Sequence, residues 1–196
     1  VGFARVLVEW KPGDQNPSIH VLGFCLVQTK GESKTKQVRK SSDDLRRAQE
    51  LYRAMTEQTK GISLSFAEIP SGAQSAAAAK ALGIALGVMA CCPVALIQVS
   101  PGEVKRVVSG SRVVKTSKDQ MIKWAMSKWP AAPWLRLGNK PDGRILASNE
   151  HLADAMAIIT AGLQTPEFQQ LRSIHNALPD PHDQRPAPNR RTILRI

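Results

Sequence analysis

Two short stretches hold residue types that could do chemistry together. In ISLSFAEIPSG the single carboxylate, Glu68, ends an alternating apolar run just before Pro70 and Gly72. Open α/β sheets place their sites at the carboxyl ends of strands, so a metal-binding carboxylate would sit at such a position; a solvated strand-end Glu is the competing explanation. In SNEHLADAMAIITAG, Ser148 to Gly162, helical geometry sets His151 and Asp154 three apart on one face, while Leu152, Ala155, Met156 and Ile159 form an apolar stripe. Asp154 is thereby embedded in a largely apolar helix, where an unpaired carboxylate is costly. Glu150 stands four residues before Asp154, but an acid in the first turn is explained more simply by the helix dipole. His151 taken alone reads as structural.

These residues need elements to carry them. Gly2 to Trp10 and Ile19 to Gln28 read as two strands of a hairpin, turned by Pro12, Gly13, Asp14 and Asn16. A basic polar loop follows from Thr29 to Lys40. Ser42 or Asp43 can cap a helix reaching about Thr59 and ended by Gly61, with Leu45, Ala48, Leu51, Tyr52 and Met55 at helical spacing. Ile62 to Glu68 alternates as a strand, Gln74 to about Cys92 is an Ala-rich helix, and Val94 to Val99 is a buried strand. A Lys- and Arg-rich stretch from Pro101 leads into a helix from about Ser117 to Trp129. After a Pro-, Gly- and Trp-rich loop, Ser148 or Asn149 can cap the helix that carries His151 and Asp154, and Pro166 to Ala177 forms one more. The order implies an α/β fold with strands of mixed direction. We expect one domain over residues 1–178 and a Pro- and Arg-rich tail over 179–196, whose apolar ending ILRI would dock on its own domain or on a neighbouring subunit.

The charge balance points to a partner. In 196 residues, 27 Lys plus Arg against 16 Asp plus Glu leave +11, which favours a polyanion, and nucleic acid in particular. No helix carries the one-sided basic and aromatic pattern of membrane-surface binders. The uncharged run from Ala81 to Gly102 is long enough to raise a membrane span, but Pro93 divides it into a buried helix and a buried strand. Cys25, Cys91 and Cys92 lack zinc-ligand spacing and read as buried thiols in a reducing compartment. The opening residues carry no signal-peptide pattern.

Taken together, Glu68 after an apolar strand, the block VSPGEVKRVVSGSRVVKTSKDQM (Val99 to Met121) and HLADAMAI (His151 to Ile158) resemble the RuvC family of Holliday junction resolvases, in the RNase H-like superfamily. The block matches the family at Pro101, Val104, Lys105, Gly110, Lys118 and Gln120. The resemblance implies an RNase H-like mixed sheet flanked by helices and makes Glu68, His151 and Asp154 metal ligands. Two Mg²⁺ ions roughly 4 Å apart, with Mn²⁺ able to substitute, would then serve phosphodiester hydrolysis. It places Lys118 near the scissile phosphate, with Lys115 the nearby fallback, and gives Lys105, Arg106, Arg112 and Lys123 to the DNA backbone. The implied activity is cleavage of branched DNA, four-way junctions and possibly flaps, by a homodimer in the cytoplasm of a bacterial or phage-infected cell.

The chain departs from the family pattern in two ways. Family members open with a strand ending in Asp, whereas Val1-Gly2-Phe3-Ala4 resembles the start of the second strand. The first central strand, in roughly 10 to 15 residues, is therefore expected upstream of Val1, and without it cleavage should be poor. No aromatic wedge follows Glu68, where Ile69, Pro70, Ser71 and Gly72 stand. That departure, with a long loop holding Trp129, Trp134 and Arg136, resembles phage-type relatives of broader junction selectivity. The tryptophans could stack on unpaired bases or simply pack locally. Two alternatives stand beside the resolvase reading: a non-catalytic branched-DNA binding protein on the same fold, and a nuclease acting on RNA or an RNA-DNA hybrid.

Overall fold

The computed structural model describes residues 1–30, 40–69, 72, 75–113, 116–177 and 192–196. The first strand, β1 (Gly2–Trp10), buries Val6, Val8 and Trp10 on one face at the two-residue period of a pleated strand. It pairs antiparallel with β2 (Ser18–Leu26), the register slipping between Arg5 and Val6. Helix α1 (Lys40–Gln58) follows. Then β3 (Leu64–Glu68) pairs in parallel with β4 (Ala95–Val99) across the crossover helix α2 (Ala76–Ala90). Four more helices come next: α3 (Pro101–Ser109), α4 (Lys118–Lys128), α5 (Asn149–Gly162) and α6 (Pro166–Ala177). A last strand, β5 (Thr192–Arg195), closes the chain.

The mixed α/β composition agrees with the sequence, but the expected single sheet is two. One sheet has the order β2-β1-β5 and is wholly antiparallel; the other is the parallel pair β3-β4. Among the described residues, the C-terminal strand bridges the edges of β1 and β3. Val6 and Ile196 exchange both backbone hydrogen bonds, at 2.6 and 2.9 Å, and the Ser63 amide donates to the Arg195 carbonyl at 2.9 Å. Ile196 is buried, so the apolar ending docks on its own domain. Beyond it, a cavity of about 270 Å³ separates the halves, lined by Gly2, Ala4, Phe66, Glu68, Ile159 and Ile196 among others.

Helix α5 is the hub. It packs against β1, β2, β3, β4, α3 and α4, and Leu152, Ala155, Met156 and Ile159 are buried as their spacing requires. Two glycines allow that packing. A Cβ on Gly2 would lie 2.2 Å from the His151 carbonyl oxygen, and one on Gly162 would lie 2.3 Å from the Phe66 ring. Small residues are thus needed where backbone meets helix and ring meets helix.

Several expectations need correction. Helix α2, expected to be buried, has no buried residue. Cys91 is exposed and Cys25 and Cys92 are only half-buried; all three are free thiols. The stretch from Pro101, expected only as a basic segment, opens with α3. Its start is fixed by a capping box in which the Ser100 hydroxyl accepts from the Glu103 amide and the Glu103 carboxylate accepts from the Ser100 amide. Trp134 is buried, tilted against Phe24, and donates to the Trp129 carbonyl at 2.9 Å; Trp129 packs edge-on to Trp124. Local packing therefore accounts for these rings. The basic loop at 31–39, Lys115 and the tail over 178–191 lie outside the described residues.

Candidate active site

Glu68 occupies the carboxyl end of β3. Its position is set by the parallel ladder, which pairs Glu68 with Val99 and is extended by the Ile69 amide donating to the Val99 carbonyl at 3.1 Å. The side chain is half-buried. Burial raises its pKa above the ordinary carboxylate range, the negative charge of Asp154 raises it further, and Lys105 on α3 opposes both. Residues from three elements distant in sequence thus share one electrostatic environment.

Asp154 arrives on α5, whose first turn is anchored by Asn149. That side chain is fully buried. Its Oδ1 accepts from the Leu135 amide at 2.8 Å, and its Nδ2 donates to the carbonyls of Leu135 at 2.7 Å and Leu146 at 2.9 Å. Asn149 therefore clamps the Trp-rich loop to the start of α5 rather than capping the helix, and Ser148 makes no side-chain cap either. Burial is the main cause of Asp154's raised pKa. Glu150 adds to it, while His151 and Lys118 pull it down. The His151 side chain is exposed at the same end of the helix.

Glu150 does more than the helix-dipole explanation allows. Its carboxylate is mostly buried, at 20% exposure, and accepts a hydrogen bond of 2.6 Å from Lys118 Nζ. This bond and the charge of Glu150 raise the Lys118 pKa, with Asp154 contributing further. Lys118 itself leads α4, whose start is fixed by a capping box of Ser117 and Gln120. The ammonium is thus tethered within the field of Asp154. One signal in the sequence could have found Glu150: its four-residue spacing to Asp154, which puts both on one helical face.

The remaining basic candidates divide. Lys105 acts on Glu68. Arg106 and Arg112 are exposed and act on Glu103, whose pKa is lowered chiefly by hydrogen bonds from Ser100. Arg112 folds back so that its stem lies over Gly102. Lys123 is exposed on α4, and Lys115 lies outside the described residues.

Glu68 and Asp154 are brought together electrostatically, and Asp154 with Glu150, His151 and Lys118. Among the described residues, however, no three His, Cys, Asp or Glu side chains form a metal-holding cluster. The donor chemistry still fits a hard divalent cation. Burial, then the charge of Asp154 on Glu68 and of Glu150 on Asp154, disfavours ionisation of both carboxylates, a cost that a bound cation would offset, and oxygen ligands suit Mg²⁺ or Mn²⁺.

No protein-family model and no curated protein matches the chain. Among solved structures, it is similar to RuvC of Thermus thermophilus, with 14% identity over 88% of this chain and 97% of the other and a TM-score of 0.49. It is also similar to T. thermophilus RuvC in complex with a Holliday junction substrate, with 16% identity over 82% of this chain and 92% of the other and a TM-score of 0.49. At that distance the functional reading rests on the side chains. No helix among the described residues is long and apolar enough to cross a membrane.

Proposed function

We propose that this chain is a divalent-metal-dependent, structure-selective DNA endonuclease of the RNase H-like, RuvC-type class, cutting branched DNA such as four-way junctions. One observation supports the reading above the rest. A half-buried acidic pair, Glu68 from a strand end and Asp154 from the hub helix, is flanked by Lys105 and Lys118 in a chain of net charge +11.

Glu68 and Asp154 would hold Mg²⁺ or Mn²⁺, with exposed His151 as an additional ligand. When bound, the metal supplies a water activated at neutral pH and a counter-charge for the leaving 3′ oxygen. The protein's own groups bind and orient. Lys118, tethered by Glu150, offers an ammonium to the negative charge that develops on the phosphate. Lys105, Arg106, Arg112 and Lys123 neutralise backbone phosphates, which steers the duplex towards the acidic pair despite its negative charge. Two symmetrical nicks in a junction require two sites, hence a homodimer.

A second reading has a specific observation behind it. The lack of a three-donor cluster among the described residues suits a branched-DNA binding protein that does not cut. Incubating the complete protein, with any residues that precede Val1, with labelled four-way, flap and linear duplex DNA, in Mg²⁺, Mn²⁺ or EDTA, decides between them. Metal-dependent nicks confined to branched substrates are expected. Binding without cutting would favour the second reading, and equal cutting of linear duplex would reject structure selectivity.

A further inference from the structure

Arg172 is a buried cation without a counter-ion. It stands on α6 with 7% of its surface exposed, against the turn that joins β1 to β2. Its Nη2 donates to the Asp14 carbonyl, its guanidinium lies over the Trp10 ring at 5.9 Å from the centroid, and its Nε has no partner. Among the described residues no carboxylate forms an ion pair with it. A guanidinium cannot shed its proton, so burying it without an anion is costly.

The group borders a pocket of about 280 Å³, lined among others by Gly13, Asp14 and Gln15 of the turn and by Ser173 and Asn176 of α6. Local structure holds these walls. Pro12 and Gly13, the latter at φ 92°, stand at the centre of a turn closed by the Asp14 amide donating to the Lys11 carbonyl at 3.1 Å. The Asp14 carboxylate accepts from the Lys11 amide at 2.7 Å. Across the pocket, Asn176 Oδ1 accepts from the Trp10 indole at 3.0 Å. An indole only donates, so this bond orients the amide and leaves Nδ2 without a partner among the described residues.

We propose that this pocket is a second anion site, which takes a phosphate group. The planar fork of an arginine matches phosphate oxygens, and a tetrahedral phosphate has further oxygens for the Asn176 amide and the Ser173 hydroxyl. Asp14 opposes the anion, while the net charge of +11 attracts it. The site is remote from the acidic pair. Gly2, at one end of β1, packs on His151, and Trp10 lies at the other end, roughly 26 Å away at about 3.3 Å per residue. That distance is about eight base pairs of duplex, so a backbone phosphate of a bound arm and a free phosphate share the chemistry the pocket recognises. The inference stands apart from the endonuclease reading, because it requires no cutting.

Inorganic phosphate titrated into the full chain at constant ionic strength, followed by phosphorus NMR line broadening and by melting temperature, tests the site. Native protein should bind saturably and melt higher with phosphate. Ser173→Glu, at an exposed helical position, sets a carboxylate at the pocket and should weaken binding about tenfold or more with the fold intact. Asp14→Asn keeps an acceptor for the Lys11 amide and removes the opposing charge, so it should tighten binding several-fold. Arg172→Leu should abolish the response and hold its melting temperature in phosphate-free buffer, since it deletes a buried, unpaired charge. The other two variants decide the matter should this one fail to fold. A native chain without saturable binding, or a Ser173→Glu variant that binds as well as native, overturns the proposal. So does an equal loss in Lys140→Ala, an exposed position before α5, which would mark attraction to general positive charge. A saturating four-way junction separates the two sources: displaced phosphate assigns the pocket to a DNA backbone phosphate, and retained phosphate assigns it to a free one.

Discussion

Keeping Glu68 and Asp154 half-buried beside other carboxylates costs stability at neutral pH, since burial first, and then the charge of Asp154 on Glu68 and of Glu150 on Asp154, raises both pKa values. A carboxyl with a raised pKa holds its proton more tightly in the folded chain. Its ionisation therefore subtracts stability as pH rises through the folded value, and in acid the cost disappears. Glu68→Gln and Asp154→Asn keep the shape and remove the charge. In EDTA at neutral pH each variant should melt above the native chain, with the gap closing in acid, while each loses cleavage. Thermal unfolding across pH and a gel of labelled junction read the two halves. A variant that melts lower would mean that the carboxylate serves the fold. Lys118→Ala should lower turnover by about 10²–10³-fold, the usual loss on removing one preorganised charge stabiliser, with junction affinity little changed. Unaltered turnover would remove Lys118 from its assigned role.

Elements hold these residues through a few polar interactions whose removal can be gauged. Asn149→Ala strips the Leu135 amide and carbonyl of their buried partner, and stability should fall by about 1–3 kcal/mol. Because that clamp sets the start of α5, cleavage should fall with it, and chemical denaturation alongside the junction assay checks both. Ser100→Ala should cost about 1 kcal/mol by uncapping α3. Glu103 in the same box has a lowered pKa, so its contribution is present above the ordinary carboxylate range and is lost as pH falls through the folded value. Much at this scale was legible in the sequence. The alternation of β1, the strand end at Glu68, and the buried stripe of α5 all follow from spacing. Helix α3 is legible too, in the Ser100-Pro101 start and Glu103 three residues on, although the basic side chains that follow suit an irregular surface segment as well. The exposure of α2 was not legible, because an apolar composition implies burial and cannot say how much of the helix the rest of the fold covers. Nor could spacing reveal the bond from Lys118 to Glu150, which joins positions 32 residues apart.

At the scale of the molecule, a net charge of +11 gives affinity for DNA, whereas the acidic pair gives chemistry. The two separate experimentally. Replacing any one of Lys105, Arg106, Arg112 or Lys123 with Ala should weaken junction binding and reduce the slope of log affinity against log salt by about 0.9 for each phosphate no longer neutralised. An unchanged slope would take that residue off the DNA. Glu68 lines the cavity between the two half-sheets, and Asp154 comes from the hub helix that packs on both, so the site depends on how the whole fold closes. The most direct test asks whether the pair holds a cation. Mn²⁺ titrated into native protein, Glu68→Gln and Asp154→Asn, with free Mn²⁺ followed by electron paramagnetic resonance, should reveal a binding site in the native chain that each substitution removes. Equal uptake by all three proteins would contradict the account.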